Sequence, residues 1–350
     1  MIKKMFTAAV GAIALAAAPF AAEGADPIKL RVSHFTPTGA VPHVNFMVPW
    51  CERIKAQSQG GLECQIYPLM QIGGTAPQLY DQARDGIADI AWGVGTYTPG
   101  RFPLMEVFEL PFMAPSAEVA ARAAWRFATG RAKQEWTDVH LITMTTPDGG
   151  AIFSRKPIRT IDDMKGNKIR VGGRYLVSMM NQIGASPVTM NAMQSPDALS
   201  KGVIDSTMIP WELAKALRLN ELVKNVAEPA QIGNLPMFYT TPQFFAMNRK
   251  KYDSLPPELR KVIDDNGGEK VAGEIGRIWD ESAEPVRKAF RDRGNTIVEF
   301  QQAEMDRWVK AAQPAYDEWI KFVGERGQDG KAVLEEARAL IKEIAATVKR

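Results

Sequence analysis

Arg170 is the residue whose type and setting point most directly to chemistry. It lies in Lys168-Ile169-Arg170-Val171, which reads as a short strand, and Gly172-Gly173 follow at once. Two glycines after a strand let a ligand come close to the backbone. A guanidinium keeps its charge and presents a planar fork of donors that matches a carboxylate. Arg170 is therefore read as the anchor for an organic anion; an arginine in a structural ion pair is the alternative.

The rest of the reactive inventory is thin. The chain has 3 histidines (His34, His43, His140) and 2 cysteines. It contains no H-E-x-x-H, no G-x-S-x-G and no G-x-x-x-x-G-K-[ST] phosphate loop. His34, at a strand end beside the expected cleft, is the one candidate base, and a turn hydrogen bond is its blander role. Cys51 shares a helix face with Met47, Trp50 and Ile54, and Cys64 shares a strand face with Leu62 and Ile66. Helix and strand are neighbours, so both sulfurs can face one seam. In an oxidising compartment that favours a Cys51–Cys64 disulfide over two buried thiols. No cluster of metal-ligand types accompanies them, so no metal and no cofactor is expected.

The elements that must position Arg170 follow from periodicity. Ile28, Leu30 and Val32 alternate with polar residues, giving a strand that ends at His34-Phe35. Met47, Trp50, Cys51 and Ile54 recur at helical spacing until Gly60-Gly61, with Pro49 delaying or kinking the start. A strand over 62–66 completes a strand–helix–strand unit. A helix from 76 then breaks at Gly86 and leads into a strand over 87–92. Around Arg170 the order recurs: strand, helix over 174–183, turn, strand over 188–190, and a helix ending at Gly202. Gly86-Ile87-Ala88-Asp89 is echoed by Gly202-Val203-Ile204-Asp205. The echo predicts two lobes of one α/β plan.

A strand over 151–154 should open the second lobe, and an extended stretch over 238–247 should return the chain to the first. Residues 256–290 read as helix with breaks at Gly267-Gly268 and Pro285, long enough to span both lobes. Amphipathic helices over 302–323 and 330–348 close the chain. The expected division is 26–147 plus 236–278 for lobe I, 148–235 plus 279–328 for lobe II, and a C-terminal helix over 329–350. Ligands of hinged proteins favour the crevice between domains.

A net charge of +3 offers no concentrated basic patch, so no nucleic-acid partner is expected. Lys3-Lys4, an alanine-rich apolar run over 8–18, and Ala21, Ala22 and Ala25 read as a signal peptide over 1–25, removed on export. A bacterial periplasm is the expected location.

Residues 162–211 resemble the solute-binding proteins of tripartite ATP-independent periplasmic (TRAP) transporters, the dicarboxylate-binding-protein-like (DctP) family. The resemblance rests on Met164-Lys165-Gly166, Lys168–Val171, Gly184–Val188, Ala198-Leu199 and Gly202–Asp205. In the first half it rests on Tyr67-Pro68, Gln71–Gly74, Asp85–Asp89 and Phe108–Phe112. It covers nearly all of the chain after the leader, in the same order. It implies a two-lobed α/β periplasmic-binding-protein fold, type II-like, with a long kinked helix across both lobes. It also implies closure on one small organic acid and delivery to the TRAP membrane subunits. The family's carboxylate-binding arginine corresponds to Arg170. Positions where the family often has a second arginine, an asparagine and a further polar residue are here Gly150-Ala151, Gly173 and Ile209.

Those replacements disfavour a second acidic group on the ligand, while Phe35, Trp92, Tyr97, Trp211 and Tyr239 are expected at the cleft edges. The preferred ligand is a monocarboxylate with an aromatic or hydrophobic tail. A short hydroxy-, keto- or dicarboxylate is the alternative, with Arg174 as the candidate second cation. An exported enzyme acting on an organic acid is the third reading.

Overall fold

The computed structural model describes residues 26–230 and 235–348. The expected signal peptide lies outside the described residues. Eleven strands follow in chain order among them. The first four are β1 (Ile28–Ser33), β2 (Leu62–Tyr67), β3 (Ile90–Val94) and β4 (Val139–Thr145). Then come β5 (Ala151–Ser154), β6 (Lys168–Val171), β7 (Ser186–Thr189), β8 (Ser206–Ile209) and β9 (Asn225–Pro229). β10 (Gln243–Asn248) and β11 (Thr296–Phe300) complete the set. The helices nearest the site are α1 (Val48–Gln57), α2 (Leu79–Asp85), α3 (Ala117–Thr129), α4 (Arg174–Gln182), α5 (Ser195–Ser200) and α6 (Trp211–Ala216).

The strands form two sheets, ordered β2-β1-β3-β10-β4 in lobe I and β11-β9-β5-β8-β6-β7 in lobe II. In lobe I, β1 is parallel to β2 and β3, while β10 is antiparallel to β3 and β4. In lobe II, β6 is parallel to β7 and β8, while β5 is antiparallel to β8 and β9. Five strands thus repeat one plan, and β11, parallel to β9, is an addition that the periodicity did not announce.

The repeated Gly-x-x-Asp segments do the same work in each lobe. Gly86 closes α2 with φ 77°, and the Asp89 carboxylate accepts the Arg31 N–H at 2.8 Å while Asp89 N–H donates to Arg31 O at 2.9 Å. Gly202 has φ 71°, and Asp205 makes the matching pair with Lys168, at 3.0 and 2.7 Å. The aspartate satisfies an N–H that would otherwise be left unpaired just before the neighbouring strand, β3 or β8, joins the ladder. The strand after Gly86 therefore starts at Ile90, later than periodicity suggested, because Ile87–Asp89 form this turn.

The helical stretch already begins at Pro42, so Pro49 lies inside it; the wider winding of Pro42–Met47, with Val48 N–H reaching back to His43 O, takes up the proline whose missing N–H removes one helical bond. Residues 256–290 break at Gly267: a helix over Pro257–Asp265 is followed by one of 25 residues, Gly268–Asp292, that keeps Pro285 inside it. This long helix packs on α3 and β4 of lobe I and on α6 and β11 of lobe II. It is the strut across the two lobes. Cys51 and Cys64 are joined as a disulfide, tying α1 to β2 with Cα atoms 5.7 Å apart. No helix among the described residues is long and apolar enough to cross a membrane.

Candidate ligand cleft between the lobes

Between the lobes lies a cleft lined by Phe35, Trp92 and Tyr97 from lobe I and by Arg170 and Glu212 from lobe II. Tyr239, from the segment returning to lobe I, closes it.

β6 places Arg170 in the cleft wall, 3% exposed. Its Nε donates to Met190 O at 2.8 Å and its Nη1 to Met208 O at 3.0 Å. These carbonyls fix the plane of the guanidinium without neutralising its charge. No carboxylate pairs with Arg170 among the described residues. A buried cation held only by neutral groups is costly unless an anion joins it. Arg170 is the only cationic side chain among the described residues that line this cleft. A Cβ on Gly172 would stand 3.3 Å from Arg170 Nη2, so this glycine keeps the approach to the guanidinium open.

The opposite wall is aromatic. Phe35 stacks on Trp92 with centroids 5.2 Å apart and planes 4° from parallel, and Tyr97 meets Phe35 edge-on at 5.7 Å. Trp92 Nε1 donates to Thr145 Oγ1 at 3.1 Å, and Thr145 donates to Gln243 Oε1 at 2.9 Å, which holds the indole in place. The Tyr97 hydroxyl accepts the Ala192 N–H at 3.2 Å and so bridges the lobes. Tyr239 lies against Gly150, where a Cβ would stand 2.0 Å from Tyr239 Cε1. Any side chain at 150 would expel this ring. Burial pushes the Tyr239 hydroxyl pKa up, opposed by the Arg170 charge.

Three residues expected near the cleft lie elsewhere. His34 is fully buried, bonded to Thr36 Oγ1 at 3.0 Å and to His43 Nδ1 at 2.9 Å. Burial, with a contribution from His43, pushes its pKa down to about 3, so it stays neutral. Trp211 is fully buried in the core of lobe II, edge-to-face with Phe153 and Phe290, and donates Nε1–H to Glu228 at 2.7 Å. Arg174 is held by Glu106 across the seam between the lobes and stacks 3.7 Å over Phe322. Glu106 also accepts the Tyr175 hydroxyl at 2.7 Å. Beside this cluster, burial and then Glu106 push Glu109 well above the usual carboxylate range.

Sequence reading missed Glu212, Thr96 and Gln243 as lining residues, whereas Gly172 lines the cleft as the glycine pair after Arg170 suggested. Glu212 falls in the first turn of α6, just after Pro210, and that adjacency was the only available signal. Thr96 reaches the cleft from the short 3₁₀ turn after β3. Its Cγ2 would lie 3.3 Å from a Cβ on Gly173, so Gly173 serves the contact between lobes.

Two lobes of one plan, a helical strut across them and an unneutralised guanidinium between them define a two-lobed solute-binding protein. The chain belongs to the family Bacterial extracellular solute-binding protein, family 7 (DctP), which matches residues 32–321. It is a TRAP solute-binding protein of the DctP type. The C4-dicarboxylate-binding periplasmic protein DctP of Rhodobacter capsulatus is 23% identical over 93% of this chain and 96% of its own length. A TRAP solute-binding protein from a marine metagenome, specific for aromatic acid ligands and solved with 3-hydroxybenzoate, is 38% identical. It superposes with a TM-score of 0.87 over 91% of this chain and 98% of that one. A TRAP solute-binding protein from Rhodoferax ferrireducens, solved with copurified benzoate, is 36% identical with a TM-score of 0.89, covering 91% of this chain and 99% of that one.

Proposed function

We propose that this protein is the periplasmic receptor of a TRAP transporter and that it captures an aromatic monocarboxylate for delivery to the membrane subunits. The observation that carries the reading is the Arg170 guanidinium, buried, pinned by two carbonyls and without a carboxylate partner, facing a wall of Phe35, Trp92, Tyr97 and Tyr239. The ligand carboxylate joins Arg170, and its ring takes the apolar contact area of the aromatic wall. The solved relatives with 3-hydroxybenzoate and benzoate support this ligand class. A dicarboxylate needs a second cation in the cleft, and Arg174 is committed to Glu106. The protein binds without turnover, since a receptor needs its ligand unchanged.

The deciding measurement is a calorimetric competition series of benzoate, phenylacetate and cinnamate against succinate, malate, lactate and pyruvate. The aromatic acids are expected to bind more tightly, and mass spectrometry to return them unaltered. Tighter binding of succinate or malate than of every aromatic acid overturns the ligand class.

A further inference from the structure

Arg170 by itself does not satisfy a carboxylate. Its Nε–H and one Nη1–H go to Met190 O and Met208 O, which leaves Nη2 and the second Nη1–H for the ligand. A carboxylate has about four lone-pair sites, and one guanidinium fork fills two of them. Once the cleft excludes water, an oxygen left unpaired is costly, so a further donor is needed beside the fork. Tyr239 has one. Its hydroxyl bonds to no protein group among the described residues, and its oxygen is not among the buried atoms sealed without a partner. We propose that the Tyr239 hydroxyl is the second donor to the ligand's carboxylate, so that Arg170 and Tyr239 together fix the end of the acid from which its ring projects. The inference rests on the carboxylate reading above and gives Tyr239 a role beyond its place in the aromatic wall.

The register of the lobe II sheet brings the two groups together. β5 and β6 flank β8, with Ala151 facing Ile209 and Arg170 facing Thr207. Gly150 therefore lies at the cleft end of β5, and the guanidinium reaches Met208 O on β8, the neighbouring strand about 5 Å away. A Cβ on Gly150 would stand 2.7 Å from the Tyr239 hydroxyl oxygen, so this glycine makes the room in which the hydroxyl sits. The ring is also held from behind. Phe238 packs against Phe112, Phe300 and Trp308, and the Thr240 hydroxyl donates to Phe108 O. Burial raises the Tyr239 pKa and the Arg170 charge opposes it, so the hydroxyl keeps its proton at neutral pH and feels the guanidinium. The buried acids that also act on it are engaged elsewhere. Asp148 accepts the Trp211 N–H at 2.8 Å, and Glu212 is bonded by the Val41 N–H and by Trp279. A phenol beside a cation turns its oxygen toward the charge and its O–H away, which is the orientation that donates to an anion held between them.

The test measures the dissociation constants of benzoate, phenylacetate and cinnamate for wild type, Tyr239→Phe, Tyr97→Phe and Gly150→Ala. Tyr239→Phe keeps the ring and removes one hydroxyl. It should weaken all three acids about tenfold or more, and by a similar factor, because the carboxylate stays at Arg170 while the ring beyond it changes place. A contact with the ring would vary from acid to acid. In an Arg170→Lys background the factor for Tyr239→Phe should change, since the two groups share one carboxylate. Gly150→Ala drives the ring from its place and should weaken binding at least as much, with little further loss when Tyr239→Phe is added. Melting curves without ligand confirm that each variant folds; if Gly150→Ala does not, Tyr239→Phe alone and with Arg170→Lys decides. Unchanged affinity of folded Tyr239→Phe for all three acids overturns the inference. So does a loss confined to one acid, or a uniform loss in Tyr97→Phe with none in Tyr239→Phe. In those cases wild type still binds aromatic acids and the receptor reading stands. Wild type that binds none of the three overturns that reading, and this inference with it.

Discussion

Ser33 of lobe I and Arg170 of lobe II occupy the same place in the same strand. The reciprocal hydrogen bonds of Asp89 with Arg31 and of Asp205 with Lys168 set the correspondence, and two residues further on stand Ser33 and Arg170. The ladders agree, since Ser33 faces Ala91 and Arg170 faces Thr207, each two residues past its aspartate. Counting on, Phe35 corresponds to Gly172 and Trp92 to Met208. In lobe I the position is spent on the fold, because Ser33 Oγ donates to Gln82 at 2.8 Å. In lobe II it carries the cation, and the next outward position is emptied to a glycine so that the cation can be reached. One lobe supplies the wall and the other the charge. A repeated scaffold fixes where side chains point, and the side chains then divide the recognition between them.

The sharpest way to break this comparison is to remove the charged half. Arg170→Ala should weaken binding of an aromatic acid about a hundredfold or more, since a charge-assisted contact is lost and the carboxylate is left buried. Arg170→Lys should restore only part, because an ammonium lacks the fork. Phe35→Ala, which takes away the apolar half, should cost about tenfold through lost contact area. Calorimetry on the folded variants checks both, and near-native affinity in Arg170→Ala removes the anchor role.

The disulfide offers a second contrast, because α1 and β2 are joined covalently whereas their counterparts α4 and β7 are not. Closing a loop of sequence separation 13 stabilises by about 3 kcal/mol. Denaturant unfolding of the reduced protein, or of Cys51→Ala/Cys64→Ala, should show a loss of about that size. Hydrogen exchange should place the added opening in lobe I.

The smallest effect concerns the buried titratable groups, which act with opposite sign. Glu212 in lobe II is held neutral up to about 8 against an ordinary 4.5. The folded state then binds more protons than the unfolded state between those values, so its contribution is complete below the ordinary value and is lost as pH rises through about 8. His34 in lobe I, pushed down to about 3 from 6.5, contributes above its ordinary value and loses that contribution as pH falls toward 3. The melting temperature of Glu212→Gln relative to wild type should therefore rise by about 2 °C or more from mildly acidic to alkaline pH. A flat difference would show that Glu212 titrates as an ordinary carboxyl.

Much of this was legible because it is local. Alternation and helical spacing placed β1, α1 and α4, and Arg170 stood out through the glycines beside it. The Cys51–Cys64 bridge followed from two faces of adjacent elements. What escaped is phase and long-range pairing. α6 turns about 100° per residue, so Trp211 swings into the core while Glu212 faces the cleft. Nothing in Pro210-Trp211-Glu212 announces which residue does which. The pairing that withdraws Arg174 from the cleft was invisible for another reason, since its partner Glu106 is distant in sequence and comes from the other lobe. His34 was misplaced despite an available signal. It has the same parity along the strand as buried Leu30 and Val32, and it points inward with them.

The strand order carries one more consequence, for the time course of assembly. In lobe I, β10 runs between β3 and β4, yet it is the last of that sheet to appear along the chain. The shared five-strand core of lobe II is complete by Pro229, whereas lobe I waits for Gln243–Asn248. A chain that emerges from its N-terminus begins lobe I first and finishes it second, with the facing edges of β3 and β4 unpaired while lobe II is made. Such edges invite wrong pairing. The half that carries the aromatic wall is therefore the half most exposed to misassembly.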